Sequence, residues 1–172
     1  MLDLEGPIWK FALDFYRRPG VSEACLTLQE DANVDVVELI VVLFSAQVIG
    51  RDLSSDEVTD MRVKMLNWRE MTVLPLRQVR RTLKPYCPGF PQHEKELLRS
   101  KVKSIELFSE QIQLAMAYQW LTNSAPTRAS LTLEGALETL LEVESFDELP
   151  PGCRNSLARI VSTVLDMDDF PR

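Results

Sequence analysis

The stretch DVVELIVVLFSAQVIG, residues 35–50, decides the fold. Its β-branched run Val36, Val37, Ile40, Val41 and Val42 suits a buried strand as well as a helix. The ends favour a helix: Asp35 is a good N-cap, and the apolar run continues through Phe44 and Ala46 to a stop at Gly50. The rest of the chain offers no partner strand. It has no Asn-Gly or Asp-Gly hairpin turn and no sustained apolar/polar alternation. Apolar nearly all round, this helix is expected to be the central element of the core.

Working outward, the neighbouring segments also have helical spacing. Pro7 suits a first turn, and Ile8, Phe11, Ala12, Phe15 and Tyr16 follow on a single face. Arg18-Pro19-Gly20 ends that helix, and Ser22 is the expected N-cap of a second one carrying Ala24, Cys25, Leu26 and Leu28. Ser54-Ser55-Asp56-Glu57 starts another, in which Val58, Met61, Met65, Trp68 and Thr72 recur at steps of three and four. Pro75 predicts a kink or break near Leu74. Leu76, Val79 and Leu83 resume an apolar stripe beyond it.

Residues 85–91, with three prolines and a glycine, form a loop. From Glu94 to about Leu121 there is neither Gly nor Pro, which predicts one helix about 40 Å long. Leu98, Val102, Ile105, Ile112 and Met116 lie on one heptad stripe of it, with Phe108 beside them. Asn123–Thr127 is the candidate linker. A short acidic helix (about 132–144), a turn at 148–152 and a last helix (about 154–165) follow. The expectation is all-α: a single irregular helical bundle of about six to eight helices, with one long helix near residues 94–121. Residues 1–172 form a single domain, in which 123–172 is an acidic extension either packed on the core or loosely tethered.

Composition bounds the chemistry. The 172 residues include one histidine, three cysteines and 26 acidic against 19 basic residues, a net charge of -7. A chain of this size buries enough surface for one core without staples. The acidic N-terminus is unlike a secretory signal, and the longest apolar stretch falls short of a membrane span. Cys25, Cys87 and Cys153 are odd in number and contain no CxxC, which suits reduced thiols. A soluble, cytoplasmic protein is expected.

The charge is segregated. Residues 1–60 hold 12 acids and 4 basic residues, whereas residues 61–84 hold 7 basic residues and only Glu70. Residues 130–172 return to 9 acids against 3 arginines. Within the cationic segment Arg77, Arg80, Arg81 and Lys84 stand at i, i+3, i+4 and i+7 and share a helix face. This is the candidate binding face, for phosphate, nucleic acid or an acidic partner surface. The simpler reading pairs these side chains with the chain's own acidic ends. An overall charge of -7 argues against bare nucleic acid as the partner. Arg18, in Arg17-Arg18-Pro19-Gly20, is a further candidate, able to hold an anion at a helix start and to form a mixed cationic pocket if the fold brings it to Arg77 and Arg81.

Other motifs are weaker. His93-Glu94 lacks the second histidine of a zinc protease and the Glu-x-x-His pairs of a di-iron bundle. Asp166-Met-Asp168-Asp169 lacks the glycine and the distal glutamate of a calcium loop. Glu134, Glu138 and Glu142 read as a solvated acidic stripe. No phosphate-binding loop or nucleophile elbow is present. No metal site, no cofactor and no catalytic residue is assigned.

Two blocks carry a resemblance. The first runs from Trp9 through Ala12, Phe15, Tyr16 and Arg18-Pro19-Gly20-Val21 to Ala24-Cys25-Leu26-x-Leu28-Gln29, followed by Asp35-Val36. The second runs from Trp68 through Val73, Pro75-Leu76-Arg77 and Arg80-Arg81 to Leu83-Lys84. Together they resemble an uncharacterised family of small proteobacterial proteins, a domain of unknown function. Where the family pattern has an asparagine and a tryptophan, this sequence has Val37 and Phe44. The resemblance implies a cytoplasmic, helical, bacterial protein and supplies no activity.

Two functions are therefore expected from different classes. The first is a helical adaptor or regulatory protein that binds an acidic protein or ribonucleoprotein through Arg77, Arg80, Arg81 and Lys84. The second, a small-molecule-binding protein or enzyme, has an inter-helical pocket in which Arg18 and the later arginines hold a carboxylate or phosphate. Glu23, Asp35 or Glu38 would move its protons. An enzyme is the lesser expectation. Glu38 either is buried in the apolar helix, which raises its pKa, or faces solvent at the first turn. A second copy is another candidate partner, through Leu107, Leu114 and Leu121.

Overall fold

In a computed structural model the chain is all-α, and its placement is described for residues 1–123, 133–143 and 150–167. Eight α-helical segments occur among the described residues: α1 (Pro7–Arg17), α2 (Val21–Asp31), α3 (Val36–Phe44), α4 (Ser55–Trp68), α5 (Leu74–Thr82), α6 (Gln92–Asn123), α7 (Leu133–Val143) and α8 (Pro151–Leu165). The all-α bundle with one long helix is what the sequence predicts.

The 35–50 stretch is helical and central. Asp35 caps α3, its side chain accepting a hydrogen bond from the Val37 N–H at 2.8 Å. Every residue from Val36 to Phe44 is buried. A π-helical turn (Ser45–Ile49) extends α3 to Gly50, which takes the left-handed conformation at φ 71° and ends it. Phe44 meets Phe11 of α1 edge-to-face at 5.6 Å between ring centroids, and Tyr118 of α6 at 5.8 Å. Such pairs add to the apolar burial that holds these three helices together.

Around α3, the predicted face of α1 is buried at Ile8, Phe11, Ala12 and Phe15, while Tyr16 stays 41% exposed. The second helix is capped differently from the sequence reading. Its N-cap is Gly20, not Ser22, with φ at 80° and no side-chain cap. The positive φ favours glycine there, and a Cβ would also press on the flexible end of the Arg159 side chain of α8, at 2.9 Å. Arg159 donates a hydrogen bond to the Pro19 carbonyl at 3.2 Å, tying the turn to α8.

The segment after Ser54 begins as the sequence suggests, with a full capping box between Ser54 and Glu57. Pro75 does not break the helix. A π-helical turn, Arg69–Val73, lies just before it and joins α4 to α5 as one continuous rod. Proline lacks an N–H and crowds the carbonyl four residues back, and the wider π turn absorbs both defects.

Of the stretch 123–172, the described helices contribute to the common core. Leu133, Ala136, Leu137 and Leu140 of α7, and Cys153, Ile160 and Val164 of α8, are buried in it. The linker residues 124–127 and the tail pair Asp168-Asp169 lie outside the described residues, as do the side chains of Glu134 and Glu142. Cys25, Cys87 and Cys153 are all free thiols. No described helix is long and apolar enough to cross a membrane.

Candidate functional site

The basic face predicted on α5 is divided by the fold. No residue of α5 is fully buried, and the helix lies against α6. Ion pairs tie the two helices together. Arg77 donates through Nε to Glu106 at 3.1 Å and through Nη2 to Glu110 at 2.6 Å. Arg80 grips Glu106 with two bonds, from Nε to Oε2 and from Nη2 to Oε1, the latter at 3.1 Å. The partners are glutamates of the long helix, not the acidic ends of the chain. Arg81 and Lys84 point away, exposed and without an ion pair among the described residues.

This arrangement explains why the heptad stripe of α6 is a poor guide to its buried face. Leu98, Ile105 and Phe108 are about half exposed, and Val102 is buried. Glu106, Ser109, Gln113 and Ala117 are buried instead. Two arginines facing α6 need carboxylates opposite them, so the polar edge turns inward. Ser109 contributes its carbonyl, which accepts from the indole N–H of Trp68 at 2.9 Å. Gln113 is 1% exposed, and its amide oxygen and nitrogen find no hydrogen-bond partner among the described residues. Of the Leu107, Leu114 and Leu121 ladder, the latter two belong to the core.

The electrostatics follow from the pairing. Burial pushes the Glu106 carboxyl up, but the hydrogen bonds and charges of Arg80 and Arg77 outweigh it, leaving the group below its usual range. For Glu110 burial wins over Arg77, helped by Glu106 and Asp35, and its pKa is raised. Although the Tyr16 residue is partly exposed, its hydroxyl end is enclosed near Cys25 and Glu110, and its pKa is raised by burial first and by those two groups next. Burial likewise pushes the Cys25 thiol up to about 12, against the opposing effect of its hydrogen bond with Tyr16. Both groups keep their protons at neutral pH, so the cluster offers hydrogen-bond donors and no activated nucleophile.

Arg18 lies elsewhere. It pairs with Asp14 one turn back at 3.1 Å, and the cleft beside it is formed with Arg159, Ser162 and Asp166 of the α8 region rather than with α5. The mixed pocket of Arg18, Arg77 and Arg81 does not form. His93 is exposed at the start of α6. Among the described residues no group of three or more His, Cys, Asp or Glu side chains is placed to hold a metal ion.

Glu38 is buried, at 4% exposure, despite its first-turn position. Arg62 of α4 holds it, with Nε 3.1 Å from both carboxylate oxygens and Nη2 2.7 Å from one. Asp35 likewise binds Arg69, the first residue of the π turn. Arg62 and Arg69 belong to the cationic segment 61–84, but nothing local in the sequence marks them as the partners of Glu38 and Asp35. The spacing Glu106, Glu110, Gln113 on one side of α6 is a signal that could have found its polar inner edge.

A groove of about 570 Å³ between α7 and α8 is mainly apolar, lined by Leu137, Leu141, Leu157 and Val161 with Glu138 and Arg154 among its polar residues. The charged groups thus gather at the α3–α4 and α5–α6 contacts, where residues of both quoted sequence blocks meet: Tyr16, Cys25 and Asp35 from the first, Trp68, Arg77 and Arg80 from the second. No curated protein and no solved structure matches the chain. Residues 7–117, from α1 through most of α6, match the family described as proteins of unknown function DUF2390, and the chain belongs to that family.

Proposed function

We propose that the chain is a non-catalytic adaptor or regulatory protein that binds an acidic, amphipathic segment of another protein through the hairpin of α5 and the first half of α6. The observation that carries this reading is the exposure of that hairpin. α5 buries no residue, and α6 presents Leu98, Lys101, Ile105 and Phe108 outward at steps of three and four. The loop between the helices exposes Tyr86 and Phe90.

Charge supports the same occupant. Residues 74–103 hold eight basic and two acidic residues, in a chain that is acidic overall. Arg77 and Arg80 are committed to α6, so Arg81, Lys84 and Lys101 are the cations available to a partner. An apolar strip flanked by such cations fits a helix with an apolar face and acidic edges. The cytoplasm is the compartment this reading assumes, and reduced thiols are compatible with it.

The test is affinity purification of the tagged protein from its native host, with the double variant Arg81→Glu/Lys84→Glu and the apolar variant Ile105→Asp in parallel. Loss of the same acidic protein in both variants is the expected result. Recovery of an unchanged set of partners by both variants would overturn the proposal.

A further inference from the structure

We propose that the cavity between α3 and α4 binds a small zwitterion, a free α-amino acid, with its carboxylate on Arg69 and its ammonium group on Asp35. The cavity has a volume of about 150 Å³. That is room for about five waters at roughly 30 Å³ each, which sets the scale of the ligand at a few heavy atoms.

The lining is balanced in charge, with Asp35 and Glu38 against Arg62 and Arg69. A bare anion or a bare cation would therefore meet a like charge without compensation, whereas a ligand carrying both signs would be matched. The four groups are not equally occupied. Arg62 closes on Glu38 with three bonds. Arg69 engages Asp35 through Nε, and its two terminal nitrogens make no hydrogen bond among the described residues. Those nitrogens form the planar fork that suits a carboxylate.

Asp35 is the complementary half. One oxygen accepts from the Val37 N–H and the other from Arg69. Each oxygen keeps a further lone pair, enough to receive an ammonium group. Met65 and Leu66 supply an apolar wall for a short side chain.

Two backbone irregularities meet at the same place. Asn33, also in the lining, has φ 47° and is the one non-glycine residue with positive φ among those described. Its side-chain amide is exposed and makes no hydrogen bond among the described residues, so it is available at the rim. Arg69 opens the π turn. The left-handed Asn33 closes the C-terminus of α2, where the Val34 N–H reaches the Leu28 carbonyl at 3.1 Å, and π turns are frequent at functional sites.

Isothermal titration calorimetry of the full chain tests this, using L-alanine, L-serine and L-valine as probes. Propionate and propylamine, each carrying one of the two charges, serve as half-ligands. At least one amino acid is expected to bind, and both half-ligands are expected to bind at least tenfold more weakly. Arg69→Lys keeps the charge opposite Asp35 but removes the fork, and should weaken binding at least tenfold. Asn33→Gly retains the left-handed backbone, so its fold is safeguarded, and should weaken binding severalfold. Absence of heat with all three amino acids at millimolar concentration would overturn the proposal, as would propionate binding as tightly as alanine. Amino-acid affinity left intact in both variants would also overturn it.

Discussion

The helices around α3 and the α5–α6 hairpin are built from the same kinds of secondary structure but held by different forces. Around α3, Phe11, Phe15, Phe44 and Leu39 exclude water almost completely. In the hairpin no residue of α5 is fully buried, and two arginines on two glutamates provide the ionic part of the contact. Apolar burial is non-directional and insensitive to pH, whereas ion pairs require partners at fixed positions and in the correct protonation state. The first region should be permanent, the second conditional.

The largest effect that would sharpen this contrast is expected from Phe11→Ala. Its ring is fully buried and stacks on Phe15 at 6.2 Å while meeting Phe44 edge-on. Loss of about 3–5 kcal/mol is expected in urea unfolding followed by far-UV circular dichroism. A loss below about 1 kcal/mol would show that the centre is less tightly packed than described.

Next in size is Glu106→Gln, which leaves Arg77 and Arg80 short of a carboxylate and should cost about 3 kcal/mol, at the lower end for a buried pair. Hydrogen exchange should accelerate in α5 and leave α3 protected. This variant also changes the acid response. Glu106 lies below its ordinary value of 4.5 in the fold, so it stabilises the fold above that pH and loses this contribution as pH falls through the folded value. Glu110 is shifted the other way, and its deprotonation disfavours the fold as pH rises above 4.5. Acid titration of the native chain should therefore loosen α5 before α3, and Glu106→Gln should flatten that early phase. Equal loosening of both regions would abolish the distinction.

The smallest effect belongs to Val79→Ser. Val79 is 47% exposed on α5. A change within about 0.5 kcal/mol in the same urea titration is expected there, in contrast to any valine of α3.

The two regions also differ in how far the sequence discloses them. The centre was legible because its signals are local: Asp35 before the apolar run, Gly50 after it and the apolar periodicity of α1. The hairpin was not, because its contacts join residues far apart in the chain. Arg77 and Arg80 could be placed on one helix face, but nothing near them points to Glu106 and Glu110. The heptad stripe of α6 drew attention to Leu98 and Ile105, and the buried edge proved to be the polar one beside it. Whether Glu38 is buried or faces solvent stayed open for the same reason, since its cover comes from Arg62 on a different helix. Arg18 was a candidate by composition, and the fold sends it to α8 instead.

The π turn at Arg69–Val73 has a consequence for how the hairpin changes by insertion and deletion. A π turn holds one residue more than the α-helical turn it replaces, and each residue of an α-helix advances the chain by about 100°. Removal of a single residue there, such as the exposed Met71, would restore a regular helix and leave the facing of α5 nearly unchanged, because the wider turn already takes up the extra residue. With the extra residue kept but wound as plain α-helix, α5 would turn by about 100°, Arg77 and Arg80 would leave Glu106 and Glu110, and different side chains would face α6. The register of one turn therefore decides whether the cations of α5 are fastened to the chain's own long helix or presented to another molecule.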